Sequence, residues 1–243
     1  MSIAETRDKD LLRRLFARDP IGAIYQIGDL DDAAFPHCRW FVDGTRGVLL
    51  IYTGLAVPMV ALFGEVDALV REVPLPKRFY TKVPDRAVFE GWNLSAPDEL
   101  YVMGLQELAS FPSAIQIERV TDGAHIAALY QHYPGNYFDP AQVPSNVYLA
   151  ARIDGNLVGA AGTHAWSAVE GAAAIGNVVT AAAHRGRGIA RALMVRLCEE
   201  LAARGCRHIG LHVNRGNRTA IACYERVGFR IHSAITQWTV LTA

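Results

Sequence analysis

Leu11, Leu12, Leu15 and Phe16 place one apolar stripe along residues 8–17, the spacing of an amphipathic helix, and Asp19-Pro20 ends it. Short apolar runs at 40–42, 48–52 and 57–63 follow, separated by Asp43-Gly44 and Gly54, and read as strands. Residues 65–73 read as a helix stopped by Pro74 and Pro76, and 79–83, 87–89 and 101–105 as further strands. Ser110-Phe111-Pro112-Ser113 has the composition of a linker, which sets a boundary near residue 114. The pattern then sharpens. A strand is expected at 115–120, and a helix capped by Thr121 to about Tyr130. An irregular, aromatic-rich loop comes next at 132–144. Strands at 147–153 and 157–164 are joined through Asp154-Gly155-Asn156, a hairpin composition. A strand at 172–180, a helix at 188–203, a strand at 208–213, a helix at 217–227 and a strand at 229–239 complete the chain. This predicts two α/β domains, 1–114 and 115–243, without an obvious internal repeat.

Composition narrows the function. Half of the 243 residues are hydrophobic, enough for a sizeable core, and 24 basic residues balance 24 acidic ones. Zero net charge argues against binding nucleic acid or an anionic membrane by bulk attraction. The four cysteines show neither a C-x-x-C pair nor zinc spacing, so free thiols in a reducing cytoplasm and no metal site are expected. Residues 1–10 are charged rather than apolar, unlike a signal peptide. The most apolar run, 47–64, is broken by Gly54 and Pro58 and falls short of the ~20 residues of a membrane span.

The chemistry concentrates in Arg185-Gly186-Arg187-Gly188-Ile189-Ala190, where a strand gives way to a long helix. Amides at a helix start have no partner within the helix and carry partial positive charge, so they bind phosphate oxygens. Glycine lets the ligand approach the backbone closely. The pair Gly186/Gly188 also resembles the start of a dinucleotide fingerprint. Arg191 stands where its third glycine belongs, and residues 180–185 are too long for that tight turn.

A second pattern, Asn217, Ala220, Tyr224, Gly228 and Phe229 in N-x-x-A-x-x-x-Y-x-x-x-G-F, follows in order. Together the two resemble the GNAT superfamily of acyl-CoA-dependent N-acetyltransferases. Residues 185–190 resemble its pyrophosphate loop, Val178-Val179-Thr180 the strand lining acetyl-CoA, and 217–229 the helix carrying the family's tyrosine. The proline common in the family's loop before the arginine is replaced here by three alanines within 180–184.

The resemblance implies a mixed, mostly antiparallel sheet flanked by helices, with the N-terminal half an α/β companion, a degenerate unit of the same kind. It implies acetyl-CoA as co-substrate, bound by Val178, Val179, Thr180, Arg185, Gly186, Arg187, Gly188, Ile189, Ala190 and Asn217. Transfer to a small-molecule or peptide primary amine would be direct, without metal or covalent enzyme intermediate. Val178 or Val179 would offer an oxyanion-binding amide, which requires a bulge or splaying of the strand. Tyr224, a phenol with an ordinary pKa near 10, would protonate the leaving thiolate; packing beside Phe229 is the alternative. Asn217 caps its helix or holds the pantetheine arm. His212, His164 and Glu170 are the candidate bases, each open to a purely structural role, and a water relay or an already deprotonated amine would remove the need for a base. Tyr133, Tyr137 and Phe138 belong to the loop that shapes the acceptor cleft, or pack on the other domain. A non-catalytic acyl-CoA sensor is the rival function.

Overall fold

The computed structural model describes residues 3–83, 86–131, 133 and 138–241. The elements of the first half are β1 (Ile3–Thr6), α1 (Lys9–Phe16), α2 (Ile24–Gly28), β2 (Cys38–Asp43), β3 (Gly47–Tyr52), β4 (Met59–Gly64), α3 (Asp67–Glu72), β5 (Arg78–Val83), β6 (Asn93–Leu94) and β7 (Asp98–Leu105). Those of the second are β8 (Gln116–Val120), α4 (Ala124–Tyr130), β9 (Tyr148–Ile153), β10 (Asn156–Ser167), β11 (Ala172–Thr180), α5 (Ile189–Ala203), β12 (His208–Asn214), α6 (Arg218–Val227) and β13 (Phe229–Leu241).

Local chemistry explains most of these limits. The Asp8 carboxylate accepts from the amides of Asp10 and Leu11 and caps α1. Positive φ at Asp154 and Gly155 closes the β9–β10 hairpin. Two expectations need correction. Residues 87–89 belong to a 3₁₀ turn (Arg86–Phe89), not a strand: Phe89 is inserted between Phe79 and Trp92, and packing overrides strand propensity. Thr121 does not cap α4; the helix starts later, and Asp122 accepts from the Ala124 amide.

The strands join one mixed sheet in the order β1-β2-β3-β4-β5-β13-β7-β12-β11-β10-β9-β8, with β6 on the side of β13. The order reads as two similar halves meeting at the central pair β13–β7. In each half an antiparallel meander leads into one parallel pair, β4–β5 or β11–β12, whose crossover holds a helix, α3 or α5. The closing strands are exchanged. β7, from the first half, pairs along β12, and β13, from the second, pairs along β5. The sheet therefore crosses residue 114 twice. The expected mixed sheet flanked by helices is present.

Side chains on the two faces divide the core. On one face Leu193, Leu197 and Leu201 of α5 and Tyr224 and Val227 of α6 cover Ala173, Ile175, Ile209 and Leu211. On the other, α1 and α2 of the first half lie over Ala172 and Ala174 of the second. Small residues make that floor flat. A Cβ on Gly28 would stand 2.8 Å from the Ala165 Cβ, and one on Gly104 or Gly210 would press on Ile21 or Ile24. This close seat brings α2 of the first half onto the strands that carry the second half's motifs.

Candidate active site

The segment after β11 turns once through Ala182–His184 and enters α5 with φ of +76° at Gly186 and +79° at Gly188. Nothing lies within 4 Å of where a Gly186 Cβ would stand, so backbone conformation alone demands glycine there. Positive φ on both sides of Arg187 turns successive amides toward a common concavity, a geometry suited to an anion. Gly188 is the N-cap of α5 and, having no side chain, caps nothing. Among the described residues, no acceptor takes the amides of 186–191. Six donors at the positive end of a four-turn helix thus point outward. Arg187 is exposed. Arg185 is drawn sideways: its Nε donates to Thr180 O at 3.4 Å, and its guanidinium bonds to the Tyr133 hydroxyl and lies 5.4 Å from that ring's centroid.

The strand preceding this loop is bulged and splayed, the two devices that free an amide. Register between β10 and β11 slips between Ala160/Gly162 and again between Thr163/Ala165, so Asn177 lies in an irregularity of β11 and His164 in one of β10. Asn177 sits at φ +52°, held by Tyr130 donating to its carbonyl at 2.6 Å and by its own Nδ2 donating to the Tyr148 hydroxyl at 2.8 Å. Beyond Ile175, β11 no longer pairs with β12, which continues along β7 instead. Ala181 donates to Val158, so alternation turns Val179 toward β10 and leaves the amides of Val178 and Thr180 facing the opening. The Thr180 carbonyl confirms this orientation by accepting from Tyr133 at 3.2 Å.

A cavity of about 210 Å³ occupies the splay, lined by His164, Ile175, Gly176, Asn177, Val178, Leu211, His212 and Tyr224. Its lining comes from both faces of the sheet. Tyr224 reaches it from α6, among the side chains beneath α5. Its ring also packs 6.2 Å from that of Phe229, the packing expected as the alternative to a role as acid. Burial raises the phenol's pKa further, keeping the proton on. His212 comes from the opposite face. Its neighbours Leu211 and Val213 point to α5, while its own ring lies 4.6 Å from that of Tyr25 on α2.

His164 stands over Gly176, where a Cβ would meet its ring at 2.2 Å. Its Nδ1 lies 3.3 Å from the Tyr25 hydroxyl, and its Nε2 is buried without a partner among the described residues. Desolvation pushes its pKa down to about 4. The folded imidazole stays neutral while the unfolded one protonates near 6.5, so its contribution is complete above that pH and is lost as pH falls toward 4. Chemical denaturation from pH 7 to 4 should show a loss on the order of 3 kcal/mol that His164→Gln removes. Equal acid sensitivity in the variant would contradict a neutral buried ring.

Other sequence expectations fall elsewhere. Glu170 is held in a bidentate pair with Arg13 of α1, with Nε–Oε2 at 2.8 Å and NH2–Oε1 at 2.6 Å, and does not line the cavity. Asn217 caps α6 by accepting from Ala220 at 3.1 Å. Ile189 is buried under β10, while Ala190 stays partly open at the helix start. Phe138 stacks on Tyr130 at 4.0 Å, in the core beneath α4. Tyr137 lies outside the described residues. Sequence reasoning missed Tyr25 and Lys82, the first half's contribution. Lys82 shares a face of β5 with Arg78 and Tyr80, opposite buried Phe79, Thr81 and Val83, in the manner of a solvent-facing residue, and only the tertiary seat of α2 shows otherwise.

Residues 111–229 match the family described as Acetyltransferase (GNAT) family. A streptothricin acetyltransferase from Streptomyces lavendulae is 36% identical over 98 residues, 39% of this chain and 51% of the relative. The chain thus spans about half the length of that relative. Over almost full length the fold is similar to a Drosophila protein (TM-score 0.75, 14% identity, 99% of this chain and 98% of that one). It is similar also to a tandem GNAT protein from the clavulanic acid biosynthesis pathway (TM-score 0.55, 13% identity, 100% and 99%).

Proposed function

We propose that this protein, whose residues 111–229 match the GNAT acetyltransferase family, transfers the acetyl group of acetyl-CoA directly to an amine. The observation that carries the reading is the alignment of two features along one path. The unpartnered amides of 186–191 end at the loop after β11, and the same strand leads back to the Val178 amide in the splay. A diphosphate held by Gly186, Arg187, Gly188, Ile189 and Ala190 places the ligand's arm along Val178, Val179 and Thr180. Arg185 and Arg187 add charge-assisted contacts. The side chains fit such a ligand: a larger residue at Gly188 would press on Phe111, 3.2 Å from a Cβ there.

In this reading the Val178 amide stabilises the oxyanion, since it is fixed by the bulge and needs no reorganisation. Tyr224 delivers its proton to the departing sulfur. Asn217 keeps its capping role and faces the pantetheine arm. Residues 115–243 carry this machinery, and residues 1–114 act as the companion that covers the acceptor side through α2. The acceptor is a primary amine on a small molecule or peptide. Among the described residues no helix is long and apolar enough to cross a membrane. Four free cysteines suit a reducing cytoplasm, where we place the protein.

The test is thiol release from acetyl-CoA with an amine panel, beside thermal shifts with acetyl-CoA and NAD(P). At 100 times Kd the bound ligand adds about 2.7 kcal/mol of stability. Stabilisation by acetyl-CoA with thiol release supports the proposal. Stabilisation without release leaves a sensor, and stabilisation by NAD(P) alone ends the reading.

A further inference from the structure

Behind His212, on the face covered by the first half, lies a buried polar cluster with no part in cofactor binding or in protonation of the thiolate. Lys82 Nζ stands 3.3 Å from His212 Nδ1 and 4.7 Å from the centroid of Tyr25. The Tyr25 ring in turn lies against His212, and its hydroxyl meets His164 Nδ1. The four side chains come from β5, β12, α2 and β10, two from each half. His212 lines the cavity, and its Nδ1 is engaged by Lys82, so Nε2 is the nitrogen left for a ligand. Resting on the acetyltransferase reading, we propose that His212 is the general base for the acceptor amine and that Lys82, acting through His212, is the positioning residue that takes up the proton.

The step balances. His212 begins with its proton on Nδ1, donated to the lone pair of neutral Lys82. As the amine nitrogen bonds to the thioester carbonyl carbon and the carbon–sulfur bond breaks, the amine proton passes to Nε2. The Nδ1 proton moves to Nζ, and the sulfur takes the phenol proton of Tyr224. Solvent afterwards removes the extra proton from Lys82 and restores the one on Tyr224.

Geometry selects this pair over the others. The Tyr25 hydroxyl beside His164 Nδ1 keeps its own proton, since burial raises that phenol's pKa, and a protonated phenol oxygen is too weak a base to take up a second one. Glu170 is held by Arg13 away from the cavity. The groups facing the dyad are Tyr25 from α2, His164 from β10, Asp98 from β7 and Tyr224 from α6. Asp98, the one carboxylate among them, favours the Lys82 ammonium, as does the face of the Tyr25 ring. Desolvation outweighs both and pushes Lys82 down to about 8, while His212 is held well below the usual histidine range by burial and then by Lys82. A lysine that loses its proton near the working pH is suited to finish such a transfer.

The experiment has two arms. Carbon-13 NMR of lysine-labelled full-length protein should show one resonance, absent in Lys82→Met, titrating near pH 8; titration at the ordinary lysine value near 10 overturns the proposal. With the best amine of the panel, kcat/KM should rise with pH through about 8. Lys82→Met and His212→Gln should each lower it roughly 10²-fold, remove that limb and leave the KM for acetyl-CoA unchanged. The double variant should fall no further, as for residues that act as a unit. Lys82→Arg, which keeps the charge but does not lose its proton, should be as slow as Lys82→Met. An active protein whose pH limb survives Lys82→Met, or additive losses in the double variant, overturns the relay alone. Absence of thiol release with every amine overturns the acetyltransferase reading and the relay with it.

Discussion

A chain beginning at residue 114 should not fold, even though it holds all of the glycine loop 185–190 and Tyr224. The reason lies in the exchanged strands. Without β7, the inner edge of β12 from Gly210 to Asn214 loses its partner, and β13 loses partners on both sides. Phe229, fully buried in the complete protein, and Trp238 and Val240, which belong to the first half's core, would face water. Burying a large apolar side chain is worth about 1.5–3 kcal/mol, and whole domains are stable by only about 5–15, so losses at three such positions are of the same order as a domain's entire stability. The floor Ala172/Ala174, covered by α1 and α2, would be bare as well. Circular dichroism and thermal melts of 114–243 should show no cooperative transition, and acetyl-CoA should not create one. A cooperatively folding fragment with the activity and acceptor choice of the full protein would show that the companion half is dispensable.

What could be read beforehand was whatever is written in neighbouring residues. The glycines at 186 and 188, the helix they open, and the Asn217-to-Phe229 pattern are local, and the strand at 172–180 has the limits expected of it. The requirement that this strand be bulged or splayed followed from chemistry, and both departures occur, at Asn177 and beyond Ile175. Pairing was not legible. A period of two marks a strand but does not say which strand lies beside it, so the exchange of β7 and β13 left no trace in the pattern. Short elements under tertiary control failed for a related reason: α2, five residues between Gly22 and Asp29, has no capping side chain, and its helix is imposed by its seat on β10 and β11. Lys82 and Tyr25 were invisible because their importance lies in what the other half brings to them. The two histidines were visible as candidates, and only the cavity separates them from Glu170.

Tyr224→Phe should lower kcat by about 10²–10³-fold while the KM for acetyl-CoA changes little, the range general acid catalysis commonly supplies. The substitution removes one oxygen and leaves the ring on Phe229, so packing of the buried side chain is preserved. The hydroxyl makes no hydrogen bond to a described residue, and its loss strands no buried partner. The effect therefore isolates the proton. It should also depend on the leaving group: a thioester whose thiol is more acidic needs less help, and the gap between wild type and variant should narrow with it. Measuring kcat for both proteins with acetyl-CoA and with a thioester of lower leaving-group pKa tests this directly. A gap that is the same for both thioesters would assign Tyr224 to positioning, and equal rates would remove it from the chemistry. A loss confined to KM would instead mean that the phenol binds the acyl donor without preference for the transition state.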